Sequence, residues 1–257
     1  MTDLFSDPEG RPRVMRGAAI VSAAPRLADL AIRVGFDTAW VELEHGHIGY
    51  DTAELLCRAA ECGGGFGTLR IGGVKREFIL RALEVGARIV VVPMVNTVEQ
   101  ARDLVRHGKF PPIGARGYNS RSPGMHYGLG SPMQLMVQAN AETHLIAQIE
   151  TQEAVSNLDG ILAVDGLSGI LIGPADLSVD MGMPLAFTDP KVIDTVTGCI
   201  RKARGAGKVG GIMAGPGPLL DAVIEAGANL IYYAGDIMDL APRWRELLEL
   251  TESRIRR

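Results

Sequence analysis

Cysteine is scarce in this 257-residue chain, and the three present, Cys57, Cys62 and Cys199, form neither a CxxC pair nor an even set. That excludes a disulfide framework or a thiolate zinc cluster and fits a reducing cytoplasm. Charge of one sign is also scarce. The formal net charge is −4 and no Lys/Arg block exceeds a few residues, so the broad positive field that nucleic acid demands is missing. The basic ending Arg254, Arg256, Arg257 reads as a solvated helix end, where cations suit the dipole. No apolar run approaches the roughly 20 residues of a membrane span. The opening MTDLFSDPEGRPRVMRG has no apolar leader core, so no membrane partner and no targeting segment are expected.

What is present is a chain 47% hydrophobic and 22% charged, enough for a real core. Short apolar or β-branched runs alternate with helix-period segments that usually close on Gly. The strand-like runs fall at 17–23, 38–44, 67–72, 88–95, 144–150, 169–173, 209–214 and 229–235. Eight strand-then-helix units imply a parallel sheet covered by helices, closed as a (β/α)8 TIM barrel in a single domain over 1–257, with 1–16 as an irregular extension. The rival is an open doubly wound sheet, but SAAPRLADLA, after the first run, contains no GxGxxG.

Active sites of such barrels lie at the carboxyl ends of the strands. The polar residues predicted there are Glu42, Glu44 and His45 after the second strand, Arg70 ending the third, Gln148 and Glu150 ending the fifth, and Asp176 just past the sixth. Glu150 and Asp176, one βα unit apart, are expected at the same height on strands about 4.8 Å apart. Two carboxylates without a Cys or His cluster suit a hard cation, Mg2+ or Mn2+, that keeps positions open for substrate. The bland reading of Asp176 is a helix cap. Glu150 resists such a reading, because it shares one face with Gln148 on a strand that is otherwise Leu, Ile, Ala and Ile. Arg70 offers a planar fork for an oxyanion, or else a structural salt bridge to Glu42 or Glu44. His45 is placed to move a proton, directly or through a water; His47 reads as a surface residue. None of the five lysines, Lys75, Lys109, Lys191, Lys202 and Lys208, sits where a Schiff base would need it.

The segments WVELEHGHIGYDT, VVPMVNTVEQA, ARGYNSRSPG, AQIETQEAVSNLDGIL and DGLSGILIGPADLSVDMGMP resemble the HpcH/HpaI aldolase family, the 4-hydroxy-2-oxoheptanedioate / 2-dehydro-3-deoxyglucarate aldolases, over about residues 17 to 240. The resemblance implies a class II pyruvate aldolase that makes or breaks 4-hydroxy-2-oxo acids. In it Glu150 and Asp176 ligate a divalent metal (Mg2+ or Mn2+, or Co2+) and Arg70 holds the keto or enolate oxygen. Gln148 supports the substrate, and the backbone of Gly173, Pro174 and Ala175 meets its carboxylate. His45 matches the acid/base histidine, with Glu44 beside it. Glu84 matches a second histidine partner contributed by a neighbouring subunit. It also implies a homo-oligomer, a hexamer built as a trimer of dimers with exchanged C-terminal helices, acting on a small 2-oxo acid and an aldehyde. Glu42 and Glu84 stand where the family usually carries Asp, each longer by a methylene, a scale of displacement that matters to proton transfer.

Between the fourth and fifth strands lie roughly thirty extra residues, containing FPPIGARGYNSRSPGMHYGLGSPM, whose Pro and Gly argue against a regular element. Part of this insert is predicted to rim the site and select the aldehyde, against the alternative of a surface or subunit-contact loop. Other readings remain open. VGGIMAGPGP after the seventh strand suits a phosphate-binding isomerase or decarboxylase, a metal-dependent acyl-CoA lyase would share the enolate chemistry, and a silent barrel scaffold would need no chemistry at all.

Overall fold

The computed structural model describes residues 4–6 and 9–255, so Arg256, Arg257 and parts of the 1–16 extension lie outside it. Eight parallel strands close in sequence order into one barrel: β1 (Met15–Ile20), β2 (Thr38–Glu42), β3 (Phe66–Arg70), β4 (Ile89–Val92), β5 (His144–Ile149), β6 (Gly169–Ile172), β7 (Val209–Met213) and β8 (Leu230–Gly235). The helices around it are α1 (Pro25–Val34), α2 (Tyr50–Cys62), α3 (Arg76–Glu84), α4 (Val98–Gly108), α5 (Pro132–Glu142), α6 (Gln152–Ser156), α7 (Leu158–Leu162), α8 (Pro174–Asp180), α9 (Pro190–Gly205), α10 (Pro218–Glu225) and α11 (Asp236–Ile255). Continuous apolar strands follow from burial on both faces. Inside the barrel, Met15, Trp40, Ile89, Val91, Ile146, Leu171 and Tyr232 form one cluster, while the helix-facing side chains form a second, larger one.

The start of the barrel differs from expectation. β1 starts at Met15, two residues inside the supposed irregular extension, because Met15 points into the barrel and pairs with Leu230. Ahead of it Phe5 is buried, packed edge-on against His144. The stretch QEAVSNLDGILAVDG forms two short helices, α6 and α7, broken at Asn157 (φ −92°, ψ 3°), whose side chain donates to the Asn96 carbonyl.

The insert is the largest correction. It contains a helix, α5, and a 3-10 turn at Pro123–Gly128, and among the described residues none of it lines the mouth of the barrel described below. Gly117 lies beside Arg76 and Leu80, and Gly124 lies against the Leu83 carbonyl. The segment therefore runs down the outside of α3 to the amino end of the barrel, because its apolar residues Phe110, Met125, Leu135 and Ala139 make a small core of their own there. No described helix is long and apolar enough to cross a membrane.

Candidate functional site

A cavity of about 560 Å³ opens at the carboxyl ends of the strands. Arg70, Gln148, Gly173, Pro174, Ala175 and Asp176 line it together, while Lys, the Schiff-base residue, is missing from its described lining.

Glu150 follows β5 and is 3% exposed. Its Oε1 accepts the Met94 N–H at 2.7 Å and its Oε2 accepts the Gln148 side-chain amide. Burial pushes this carboxyl above the ordinary carboxylate range; the two donors oppose that, and the charges of Asp176 and Glu44 add to it. Met94 reaches Glu150 only because its backbone is left-handed, φ 54°, a conformation a non-Gly residue keeps when its surroundings impose it. Gln148 is 2% exposed, and its Oε1 has no partner among the described residues. Such an orphan is costly unless a ligand completes it.

Strand register puts Ile149 opposite Ile172, so Glu150 faces Gly173, and Asp176 reaches the cluster from the first turn of α8 and not from a strand end. Asp176 caps nothing: the residue ahead of α8 is Gly173, with no side-chain cap. At Gly173 a side chain would push the tips of Glu150 and Gln148 aside. A Cβ there would stand 2.7 Å from Glu150 Oε2 and 2.9 Å from Gln148 Nε2.

Arg70 faces this acidic group across the barrel and is itself clamped. Its Nε and Nη2 lie 2.8 and 2.6 Å from Glu42 Oε2, and its Nε lies 3.3 Å from Glu44. Its guanidinium carbon sits 5.4 Å from the centre of the Trp40 ring. Glu42 also takes the Trp40 indole N–H at 3.1 Å and the backbone N–H groups of Glu44 and His45 at 2.7 and 3.1 Å. Burial works against this carboxylate, but Arg70 and the two backbone donors outweigh it and hold its pKa below the ordinary value. Arg70 thus makes the salt bridges to Glu42 and Glu44 while also lining the cavity, and the side chain of Glu42 reaches both the indole and the guanidinium. Glu44 is held high by burial, partly offset by Arg70 and His45.

His45 is exposed on the loop after β2, with Nε2 3.7 Å from Glu44 Oε2. Glu84 lies apart from all of these, at the far end of α3 and near Arg116. Sequence reasoning missed three contributors. Met94 acts through a backbone N–H that no residue type announces. Trp40 reads as core. Asp236, which accepts from the N–H groups of Val21 and Ser22 at 3.2 and 3.0 Å and ties β1 to α11, sits in an ordinary helix-start position.

A hard divalent cation fits these residues: two carboxylates with no cationic partner among the described ion pairs, an orphaned amide oxygen, and a glycine that leaves space between them. The described residues gather no group of three or more His, Cys, Asp or Glu side chains around one point, so Glu150 and Asp176 would be the carboxylates that hold such an ion.

Comparison with known proteins agrees with the geometry. A 2-keto-3-deoxy-L-rhamnonate aldolase from Klebsiella pneumoniae subsp. pneumoniae is 33% identical over 246 residues, covering 93% of this chain and 90% of that protein. A hydroxypyruvate/pyruvate aldolase from Roseobacter denitrificans is 31% identical, covering 85% and 88%. The crystal structure of an HpcH/HpaI aldolase from Desulfitobacterium hafniense DCB-2 has a TM-score of 0.87 at 27% identity, with 93% of each chain covered. The family profile matches residues 19–240, from within β1 to the start of α11 and therefore across every residue of the mouth, and the chain belongs to the HpcH/HpaI aldolase/citrate lyase family, a carbon–carbon lyase.

Proposed function

We propose that this protein is a divalent-metal-dependent aldolase that forms or cleaves 4-hydroxy-2-oxo acids through the enolate of pyruvate or a close analogue. The observation that carries this reading is the buried Glu150 and the nearby Asp176, uncompensated by any described cation, beside the unpartnered Gln148 Oε1. Glu150 and Asp176 would hold Mg2+, Mn2+ or Co2+, which when bound would supply the positive charge that makes the C3 hydrogens beside the keto group acidic.

The chain's own residues supply the rest. Arg70, fixed by Glu42, Glu44 and Trp40, donates to the oxo oxygen and favours its negative form. The first turn of α8 turns the N–H of Ala175 toward the substrate carboxylate, Pro174 having none. In cleavage, His45 takes the proton of the 4-hydroxyl, directly or through a water, the C3–C4 bond breaks, and its electron pair enters the enolate. The released carbonyl compound leaves, and C3 regains a proton. Condensation retraces this path. Within one chain the partner of His45 is Glu44; Glu84 enters only if a second copy brings it.

A cytoplasmic homo-oligomer is the natural setting. The three cysteines are unpaired, and α11 carries exposed Trp244, Leu247 and Leu248, which supports burial against another copy in a hexamer of exchanged helices.

Exchange of pyruvate methyl protons with solvent deuterium, followed by NMR with Mg2+ or Mn2+, tests the reading. The wild type is expected to exchange, and Glu150→Gln and Asp176→Asn to lose both exchange and metal retention. Full exchange by either variant after chelation would sink it.

A further inference from the structure

The two walls of the cavity differ in kind. One carries Arg70, Gln148 and Asp176; the other is built from Phe187 ahead of α9, Met213 at the end of β7, Leu219 in α10 and Met238 in α11. Of the backbone donors along that second wall, the N–H groups of Gly215 and Gly217 remain, whereas those of their neighbours are lacking or taken. Pro216 and Pro218 have no N–H, and the N–H of Ala214 is taken by the Tyr232 carbonyl at 3.0 Å. Thr188 supplies the single side-chain hydroxyl among the described lining residues. A hydroxylated chain laid along this wall would exchange its hydrogen bonds to water for contact with thioether, phenyl and isobutyl groups. An apolar chain of the same length would gain by leaving water.

Resting on the aldolase reading, we propose that the electrophile taken by this site is an aldehyde bearing an apolar chain or ring, and that Phe187, Met213, Leu219 and Met238 form its subsite. C3 of pyruvate gives up a proton and bonds to the aldehyde carbon, and the aldehyde oxygen takes up a proton, with no further reactant required. The oxygen turns toward the polar wall and the chain toward the apolar one. The sugar-acid substrate in the names of several relatives is the competing expectation, because its cleavage would release a hydroxylated aldehyde.

The test uses full-length protein with Mn2+ and pyruvate, comparing kcat/KM for condensation with butanal and with erythrose, which share a carbon count and differ in hydroxyls. Butanal is expected to be favoured by about tenfold or more, the scale on which an apolar pocket discriminates. Met213→Gln and, separately, the exposed Met238→Gln are each expected to bring that ratio down severalfold. Because the ratio is taken within one sample, loss of folded protein cancels. A ratio of one or below in the wild type would overturn the apolar subsite, and so would an unchanged ratio in both variants. Pyruvate methyl exchange in the same sample, without aldehyde, separates the two ideas. Exchange accompanied by a preference for erythrose, or by condensation with neither aldehyde, removes the subsite alone. No exchange removes the aldolase reading and the subsite with it.

Discussion

The two ends of the barrel bury charge of opposite sign and satisfy it differently. At the carboxyl end Glu150 and Glu44 are held above their ordinary pKa by burial, and each also feels the charge of Asp176. At the amino end Lys109 is also buried, but its ammonium donates to the carbonyls of Asn140 and Thr143, while Asn140 exchanges hydrogen bonds with the Phe110 backbone. Arg116 lies over the Phe110 ring, 4.7 Å from its centre, with Nε and Nη1 unpartnered. Both ends therefore leave polar atoms unpaired, at Gln148 and at Arg116, but Gln148 adjoins a 560 Å³ cavity and Arg116 is packed on an aromatic face. Lys109, a buried charge whose ammonium is hydrogen-bonded, acts as a staple, whereas the unpaired amide oxygen of Gln148 beside the cavity is a place for a ligand.

Glu42 is the sharpest way to break that distinction, since it stands at the mouth yet resembles a staple. Removing one partner of a buried ion pair costs roughly 3–5 kcal/mol, so Glu42→Gln is expected to lower stability at neutral pH by that order and to reduce pyruvate exchange by releasing Arg70. The native carboxyl titrates below its ordinary value of 4.5, so its contribution is present above that value and fades as pH falls through the lower, folded pKa. Urea unfolding of both proteins from pH 7 downward should show the gap closing under acid. A gap that stays constant would mean Glu42 is not the anion holding Arg70.

Lys109 tests the other end. Burial, and the charge of Arg116, push its pKa down to about 8 from 10.5. Between those values the unfolded chain holds the extra proton, so wild-type stability should rise relative to Lys109→Met as pH climbs from about 8 toward 10.5, by up to about 3 kcal/mol. Pyruvate exchange should not change beyond the loss of folded protein. A specific loss of exchange would mean the insert reaches the chemistry after all.

The eight strands were legible because strands buried on both faces leave continuous apolar runs, and a charged residue ending such a run stands out, as Arg70 and Glu150 do. Asp176 was legible as a position but not as a geometry, since a turn of helix and not strand register brings it to Glu150. The path of the insert could not be read from its Pro and Gly, because packing of Phe110 and Met125 at the amino end decides it. Met94 left no trace, its part being played by a main-chain N–H, and the apolar wall is assembled from a loop, a strand end and two helices far apart in the chain.

The smallest expected effect concerns how the mouth keeps Met94 in place. Thr97 caps α4 in a reciprocal box: its hydroxyl accepts from the Gln100 N–H at 3.2 Å, and the Gln100 side chain accepts from the N–H groups of Thr97 and Asn96 at 3.0 and 2.7 Å. Asn96 in turn accepts from Thr151, one residue past Glu150, at 2.7 Å. The loop 93–97 is thus pinned at the helix start and at the end of β5, which holds the left-handed Met94 under Glu150. Thr97→Ala is expected to cost about 1 kcal/mol of stability, as for other lost caps. Because one side of the pin survives, metal affinity should weaken only severalfold, read by calorimetric titration with Mn2+. A loss of metal binding as complete as that expected for Glu150→Gln would show that the Met94 N–H, and not the carboxylate's own burial, fixes the geometry at this end of the barrel.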